Sequence, residues 1–365
     1  MINKKVAFYK NRLKPNDSEI QIYLDILDYN KIPYVLLDNS DPDFWKKLEG
    51  VDVFIFKWGH DHHSHQIAHT ILPVIENTLE LKCFPDQATC WHYDDKVKQH
   101  FLLEQAGFPV IPSYVFWDKG AALDWIRQHS DFPLVFKLKN GAGSLSVFLV
   151  HHRAQALRMI KRMFGRGMKQ TTIPVFYLAK TLNYDLVKIF RYYSINFRNR
   201  FINQEKNVYW LRHKNYAYFQ QYMPNNQWDT RVTTAGLRAH AFRRFNRPKD
   251  FRASGSNSWD ISPEQIDLRM VQIALEVSRY FGFQAMAYDF VYDYKGEPRI
   301  VEMSYLYGGA GYPDFMNGYW DEHLNWHEGR YWPQYFELSD LLELPGLRMP
   351  EGLKTTTKYT KATIH

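Results

Sequence analysis

The sequence predicts an α/β N-terminal domain followed by a larger α+β region. Three observations predict this. Short apolar runs alternate with an amphipathic helix in residues 1–84, as in a small parallel sheet covered by helices. A glycine-containing hairpin pattern occupies 132–150, and a helix followed by a second hairpin occupies Ser262–Ser304. With 365 residues, 45% of them hydrophobic, the chain is long enough for two or three buried cores.

Composition narrows the possible classes of protein. No run of 18 apolar residues occurs, so we expect no membrane-spanning helix. Two cysteines, Cys83 and Cys90, fit a reducing compartment, and we expect a cytoplasmic protein. The net charge of +7 fits a nucleic acid, an anionic surface or a phosphate pocket as partner. A basic protein that binds RNA or an anionic polymer, with a vestigial nucleotide site, is therefore one alternative. It is the weaker interpretation, because the aromatic residues mostly alternate as they do in the core of a sheet.

The N-terminal domain begins with strand and helix patterns. Strands are predicted at Val6–Tyr9, Tyr34–Leu37 and Val53–Lys57, with an amphipathic helix over Asp17–Tyr29. The loop after the first strand, residues 10–15, contains no glycine. A dinucleotide site of the glycine-rich type is therefore excluded there.

A cluster of histidines follows the third predicted strand: His60, His62, His63, His65 and His69. His65 and His69 are four residues apart and could share a metal ion on a helical face. The segment lacks the glutamate of a zinc-protease motif and a cysteine pair. The simpler interpretation is a set of surface or substrate-side histidines.

A lysine is predicted in the first turn of the next helix. This helix should run from Asp94 or Asp95 to Ala106, ending at Gly107. Lys96 gains nothing from the helix dipole at that position, so it could be held there for an anion. A solvated helix start is the simpler alternative.

The hairpin pattern at 132–150 combines lysines with glycines. Lys137 and Lys139 share one strand face, and Gly141, Gly143 and Ser144 follow in a tight turn. Glycines let backbone N–H groups approach phosphate oxygens, so the turn fits a phosphate-binding flap. It is not a Walker A loop or a protein kinase loop, because the lysines precede the glycines and a strand follows.

Arginines recur on the strands predicted after this hairpin. The strands are Tyr218–Met223, Asp229–Thr234 and Arg238–Phe245. The arginines are Arg231, Arg243, Arg244 and, in a following loop, Arg252. Converging on one sheet face, they would suit a clamp for a transferring phosphoryl group, although each alone is more simply a surface charge.

The last hairpin brings two carboxylates together. A helix capped by Ser262, with Pro263 and Gln265 in its first turn, should end at Gly282. With the turn centred between residues 295 and 296, Asp289 lies opposite Glu302, with Cβ atoms about 5 Å apart, and Ser304 shares their face. Such a pair favours a cation between its members, and Mg²⁺ is the hard, oxygen-seeking candidate. A half-exposed strand face is the alternative.

Together these motifs resemble the ATP-grasp family of carboxylate-amine ligases, which includes glutathione synthetase, D-alanine:D-alanine ligase and glutamate-adding ligases. The resemblance covers residues 85–310 and implies two α+β subdomains that clamp ATP. It implies that Lys96 and Lys137 contact the phosphates, that Gly141, Gly143 and Ser144 close over them, and that Asp229 meets the ribose. The purine hinge would be Gln220, Gln221, Tyr222 and Met223.

The resemblance also implies a mechanism and a metal site. A substrate carboxylate would attack the γ-phosphorus of ATP, giving an acylphosphate and ADP, and an amine would then displace phosphate. Lys137, Arg252 and Arg231 would stabilise the transferring group, with Mg²⁺ at Asp289 and Glu302. Ser304 stands where the family has a metal-binding asparagine, and Gln221 where a glutamate is usual. An ATP-grasp phosphotransferase without amine ligation is the nearest alternative.

The expected domain boundaries follow from these assignments. Residues 1–84 form the N-terminal domain, 85–217 the first part of the ATP-grasp region, 218–329 its C-terminal lobe, and 330–365 a flexible extension. The glycine-rich stretch at 305–312, with His92, is expected to line the acceptor pocket. The resemblance suggests a small-molecule, glycan or peptide-like carboxylate and an amine as substrates, on a surface polysaccharide or a peptide-like precursor.

Overall fold

The computed structural model describes residues 4–10, 18–38, 41–141, 146–169, 194, 212–247, 250–253, 258–307 and 316–355. The N-terminal domain contains strands β1 (Val6–Tyr9), β2 (Tyr34–Leu37), β3 (Val53–Ile55) and β4 (Lys82–Phe84). Helices α1 (Ser18–Tyr29), α2 (Phe44–Lys47) and α3 (His62–Asn77) connect them. The strands form a parallel sheet in the order β2-β1-β3-β4. The predicted α/β N-terminal domain is confirmed. Its strands are short apolar runs because a parallel sheet is covered on both faces.

The middle of the chain forms an antiparallel sheet in the order β5-β10-β6-β7. Its strands are β5 (Ser113–Phe116), β6 (Leu134–Lys137), β7 (Val147–Val150) and β10 (Ala217–Gln221). Strands β8 (Met168–Lys169) and β9 (Arg212–His213), which come between β7 and β10 in the sequence, form a separate two-stranded sheet. The helices of this region are α4 (Gln87–Cys90), α5 (Lys96–Gln105), α6 (Lys119–Gln128) and α7 (Arg153–Met163). The predicted boundary at 217/218 is wrong for β10, because this strand pairs with β5 and β6 of the middle sheet.

The C-terminal lobe is a larger antiparallel sheet in the order β15-β14-β11-β12-β16-β17, with β13 paired to β12. The strands are β11 (Trp228–Ala235), β12 (Arg238–Phe245), β13 (Trp259–Asp260), β14 (Ala285–Tyr292), β15 (Pro298–Ser304), β16 (Met316–Trp320) and β17 (Trp326–Tyr331). Helix α8 (Leu268–Phe281) packs on β11, β12 and β14. Its buried residues include Met270, Ala274 and Val277.

The start of α8 differs from the prediction. Residues Pro263–Gln265 form a separate 3₁₀ turn, and Ser262 makes no side-chain cap. Asp267 caps α8 instead, because its carboxylate accepts the N–H of Arg269. The predicted end is confirmed, since Gly282 adopts the left-handed conformation at φ +70°.

The β14–β15 hairpin confirms the predicted pairing of Asp289 with Glu302. The turn itself is tighter than predicted: Tyr292 pairs with Pro298, which centres the turn on residue 295 rather than between 295 and 296. A β-bulge after Asp289 leaves Val301 as the extra residue and restores the opposition of the two carboxylates. The bulge therefore decides which side chains face the site.

The C-terminal extension is largely folded, contrary to the predicted flexible segment at 330–365. Helix α9 (Pro333–Leu342) packs against α1, and a short helix α10 (Glu351–Thr355) follows. Trp332 donates its indole N–H to the carbonyl of Leu353 at 2.8 Å. Apolar burial fixes this segment because Leu338 and Leu342 complete the core of the N-terminal domain. Residues 356–365 lie outside the described part of the chain.

We expect Leu338→Ala to lower the free energy of unfolding by about 2–5 kcal/mol, because it removes a fully buried side chain. Leu268→Ala is the matched control, since Leu268 is 41% exposed and its loss should change stability by no more than about 0.5 kcal/mol. Urea denaturation measures both. Equal midpoints for the two variants would contradict the packing of α9 on the core.

Among the described residues, no helix combines the length and the apolar character needed to cross a membrane.

Candidate functional site

Lys96 lies where the middle region meets the C-terminal lobe. It is the first residue of α5, and the carboxylate of Asp95 caps that helix by accepting the N–H groups of residues 97 and 98. The Lys96 ammonium donates to the carbonyl of Gly141 at 2.7 Å. It also lies 3.7 Å from a carboxylate oxygen of Glu302. The residue is almost fully buried, so this ammonium is a fixed positive charge between the loop after β6 and the β15 strand.

Lys137 is the last residue of β6 and, like Lys96, lies in the crevice between the middle region and the C-terminal lobe. Its side chain is 3% exposed. Burial lowers the pKa of its ammonium to about 8, and the negative charge of Glu302 opposes that shift. Lys96 and Asp289 are close enough to act on the same pKa. The structure therefore brings together the lysine–carboxylate cluster, which we define as Lys96, Lys137, Asp289 and Glu302.

Two arginines hold Asp289. It pairs across strands with Arg231, whose Nε and Nη2 donate to the carboxylate at 2.7 and 2.9 Å. Arg244 adds a third contact at 2.7 Å, from Nη2 to Oδ2. Burial alone would raise the pKa of the Asp289 carboxyl, but the two guanidinium groups outweigh it and hold the pKa well below its usual range. Asp289 is therefore an anion at any working pH.

Asp229, the predicted ribose ligand, is also paired with Arg244. The two residues are direct neighbours on β11 and β12, and the guanidinium donates to both carboxylate oxygens, at 2.6 and 2.7 Å. Burial raises the pKa of Asp229, and the charge of Arg244 opposes the shift. The sequence analysis placed Arg244 among the clamp arginines but missed its role as the link between the two aspartates.

The carboxylate pair fits a divalent cation. An ionised carboxylate offers about four lone-pair sites, and the arginine contacts on Asp289 use three of them, leaving one on Oδ1. Glu302 is one-third exposed, and among the described residues its ion pair is with Lys96, at 3.7 Å. The hydroxyl of Ser304 donates to the carbonyl of Leu306 at 2.9 Å, which leaves its oxygen lone pairs free to accept. These are hard oxygen ligands of the kind that Mg²⁺ prefers.

The predicted hinge begins on β10, which pairs with β6 in the middle sheet and therefore lies next to the strand that carries Lys137. Gln220 is buried and donates to the hydroxyl of Ser113 at 3.2 Å, while the N–H of Gln221 donates to the carbonyl of Pro112. Gln220, Lys96 and Glu302 line one small cavity of about 10 Å³. Tyr222 and Met223 follow the strand and are half-buried.

Arg252 lies apart from the lysine–carboxylate cluster, and part of the predicted phosphate-binding turn lies outside the described residues. Arg252 pairs with Asp250, from Nη2 to Oδ2 at 2.6 Å, and among the described residues it has no ion pair with Asp289 or Glu302. Gly141 is described at φ +117°, whereas Gly143 and Ser144 lie outside the described residues.

Two expectations about histidines change. His92 is fully buried between Trp91 and Phe283, so it does not line an acceptor pocket as predicted. His65 and His69 stack with ring centroids 5.9 Å apart on α3. In the part of the chain that the structure describes, no group of three or more histidine, cysteine or acidic residues has a metal-binding arrangement. Residues 308–312 of the stretch that was expected to line the acceptor pocket lie outside the described residues.

Comparisons with known proteins agree on the fold. No protein-family model matches the sequence, and no curated protein is similar to it in sequence. Solved structures with a similar fold include D-cycloserine synthetase, at a TM-score of 0.52 and 16% identity over 82% of this chain and 91% of that one. D-alanine–D-alanine ligase from Bacillus anthracis matches at 0.51 and 14% identity, covering 83% and 87%. A macrocyclase from Microcystis aeruginosa, bound with a precursor peptide, matches at 0.51 and 12%, covering 84% and 92%.

This chain covers most of the length of each of these structures. The chain therefore has the fold of the ATP-grasp superfamily.

Proposed function

We propose that this protein is an ATP-dependent carboxylate-amine ligase that forms an amide or peptide-like bond and releases ADP and phosphate. One observation carries the proposal: two buried ammonium groups and two carboxylates from different parts of the chain meet at one crevice. Ammonium groups bind phosphate oxygens, and a carboxylate pair holds the divalent cation that accompanies a nucleoside triphosphate.

The residues divide the work of phosphoryl transfer. Lys96 and Lys137 bind the phosphates and offset the charge that develops on the transferring group. Asp289 and Glu302, with Ser304 as a further oxygen ligand, would hold Mg²⁺, which would offset the negative charge of the phosphates. Arg231 keeps the Asp289 carboxylate ionised and aligned. No side-chain nucleophile is required, because the substrate carboxylate itself attacks phosphorus.

The substrates are a carboxylate and an amine, of a small molecule or of a glycan or peptide-like precursor. This part of the proposal is supported by the fold, which the chain shares with a D-alanine–D-alanine ligase and with a macrocyclase bound to a precursor peptide. A cytoplasmic location is supported by two buried free thiols, Cys83 and Cys90, which suit a reducing compartment.

Hydroxylamine provides the test. A panel of amino acids, dipeptides and sugar acids is incubated with ATP, Mg²⁺ and hydroxylamine, and hydroxamate and ADP are measured. Stoichiometric hydroxamate and ADP for one class of acid are expected, because hydroxylamine intercepts an acylphosphate. Glu328→Gln, which changes an exposed carboxylate on β17, is the control that should match the parent. A stable phosphorylated product that forms without hydroxamate would instead show a phosphotransferase.

A further inference from the structure

A histidine–aspartate pair lies beside the lysine–carboxylate cluster. His60 follows β3 in the N-terminal domain, and Asp94 precedes α5. Nδ1 of His60 lies 3.1 Å from Oδ1 of Asp94. The Asp94 side chain is 3% exposed, whereas that of His60 is 24% exposed. The aspartate is therefore buried behind a histidine that still faces solvent.

The surroundings fix the orientation of the His60 ring. The ring packs on Tyr93 at 5.3 Å between centroids, and the Tyr93 hydroxyl lies over the ring, 3.4 Å from Nδ1 and 3.5 Å from Nε2. A neutral imidazole that donates Nδ1–H to Asp94 carries its lone pair on Nε2, as a proton acceptor must. Burial would raise the pKa of Asp94, but His60, the charge of Lys96 and the N–H of Gly141 together outweigh it and lower the pKa, so this carboxyl remains ionised.

Hydrogen bonds connect this pair to the proposed phosphate site. Oδ1 of Asp94 also accepts the N–H of Gly141 at 2.8 Å. The carbonyl of Gly141 accepts the ammonium of Lys96, which in turn lies 3.7 Å from Glu302. Asp94 itself adopts a left-handed backbone conformation at φ +53°, which is uncommon for a residue other than glycine and is associated with functional sites. Four contacts thus lead from His60 through Asp94, Gly141 and Lys96 to the predicted metal ligand Glu302.

We propose that Nε2 of His60 is the general base for the incoming amine and that Asp94 is its positioning residue. This rests on the proposed ligase function. The substrate ammonium gives one proton to Nε2, and the free electron pair attacks the acyl carbon of the acylphosphate. The C–N bond forms and the C–O bond to phosphate breaks, the phosphate leaving with the electron pair of that bond. The second proton of the nitrogen goes to the departing phosphate, and His60 returns its proton to water.

Charged and polar groups from two segments face His60. They are Asp94 and Tyr93 from the segment before α5, Asp61 next in sequence, and His65 from α3, whose Nε2 lies 3.9 Å from Oδ2 of Asp94.

Ammonium and hydroxylamine are a matched pair of probes, because ammonium must lose a proton before it attacks whereas hydroxylamine is uncharged at neutral pH. For His60→Gln we expect amide formation from ammonium chloride to fall about 10²–10⁴-fold while hydroxamate formation stays within about twofold of the parent rate. Asp94→Asn should lower the ammonium reaction alone, because asparagine retains an oxygen that can accept from Gly141. His63→Gln, an exposed histidine on the same helix as His65, should match the parent.

Each other outcome overturns the assignment. Unchanged amide formation in His60→Gln removes the general base. Equal losses of amide and hydroxamate in His60→Gln show a defect before amine attack. A parent protein that makes hydroxamate but no amide from ammonium has no general base for the amine. A parent protein that makes neither product overturns the ligase proposal itself, so the two failures are distinguishable.

Discussion

Glu302→Gln is expected to lower the rate of ADP formation about 10²–10³-fold at saturating ATP, the range found when one preorganised electrostatic contact to a reacting group is removed. The reason is geometric. Asp289 shares its carboxylate with two arginines, so Glu302 is the more available ligand for a divalent cation. The measurement is ADP release against Mg²⁺ concentration, and the variant should also need more Mg²⁺ for half-maximal rate.

Binding of Mn²⁺ in the presence of ADP, followed by electron paramagnetic resonance, gives a second readout that does not depend on turnover. Glu328→Gln controls for loss of a carboxylate elsewhere on the same sheet. Asp289→Asn is a less selective variant, because it leaves Arg231 and Arg244 undercompensated, and removing one partner of a buried charge pair costs about 3–5 kcal/mol. Mn²⁺ affinity and ADP release equal to those of the parent in Glu302→Gln would remove the metal assignment.

Nucleotide affinity is expected to weaken above pH 8 by about tenfold per pH unit, because the buried ammonium of Lys137 loses its charge there. In the free protein its pKa is about 8, so it loses its proton as the pH rises through that value. A bound triphosphate favours the charged form and raises the pKa again. Binding above pH 8 must therefore take up a proton, whereas binding below pH 8 finds the ammonium already charged.

Calorimetric titration with ADP between pH 6.5 and 9.5 measures this slope, and repeating it in two buffers of different ionisation enthalpy measures the proton uptake. Lys137→Arg should abolish the pH dependence, since a guanidinium stays charged throughout this range. Lys139→Arg is the control, because Lys139 pairs with Asp95 and is one-third exposed. A flat profile for the parent protein would mean that Lys137 does not contact the phosphates.

Local patterns predicted the elements well where neighbours in sequence decide the structure. The alternation of side chains across a short turn placed Asp289 opposite Glu302, and Gly282 ended α8 as expected. The start of α8 was misplaced because Ser262 and Asp267 are both acceptable caps, and only packing of the helix on the sheet selects the second. The C-terminal segment was predicted to be flexible, because its contact with α1 joins residues that are more than 300 positions apart in the sequence and local patterns do not reveal it.

The sequence by itself determined the order of the elements, the carboxylate pair of the last hairpin and the positions of the two site lysines in their elements, because each depends on contacts between residues close along the chain. Only the tertiary structure decided that Arg244 joins Asp229 to Asp289, that Lys96 reaches both Gly141 and Glu302, and that His60 meets Asp94. These contacts depend on strand register and domain packing. The free energy that fixes them comes from burying apolar surface across the whole fold, which no local stretch of sequence specifies.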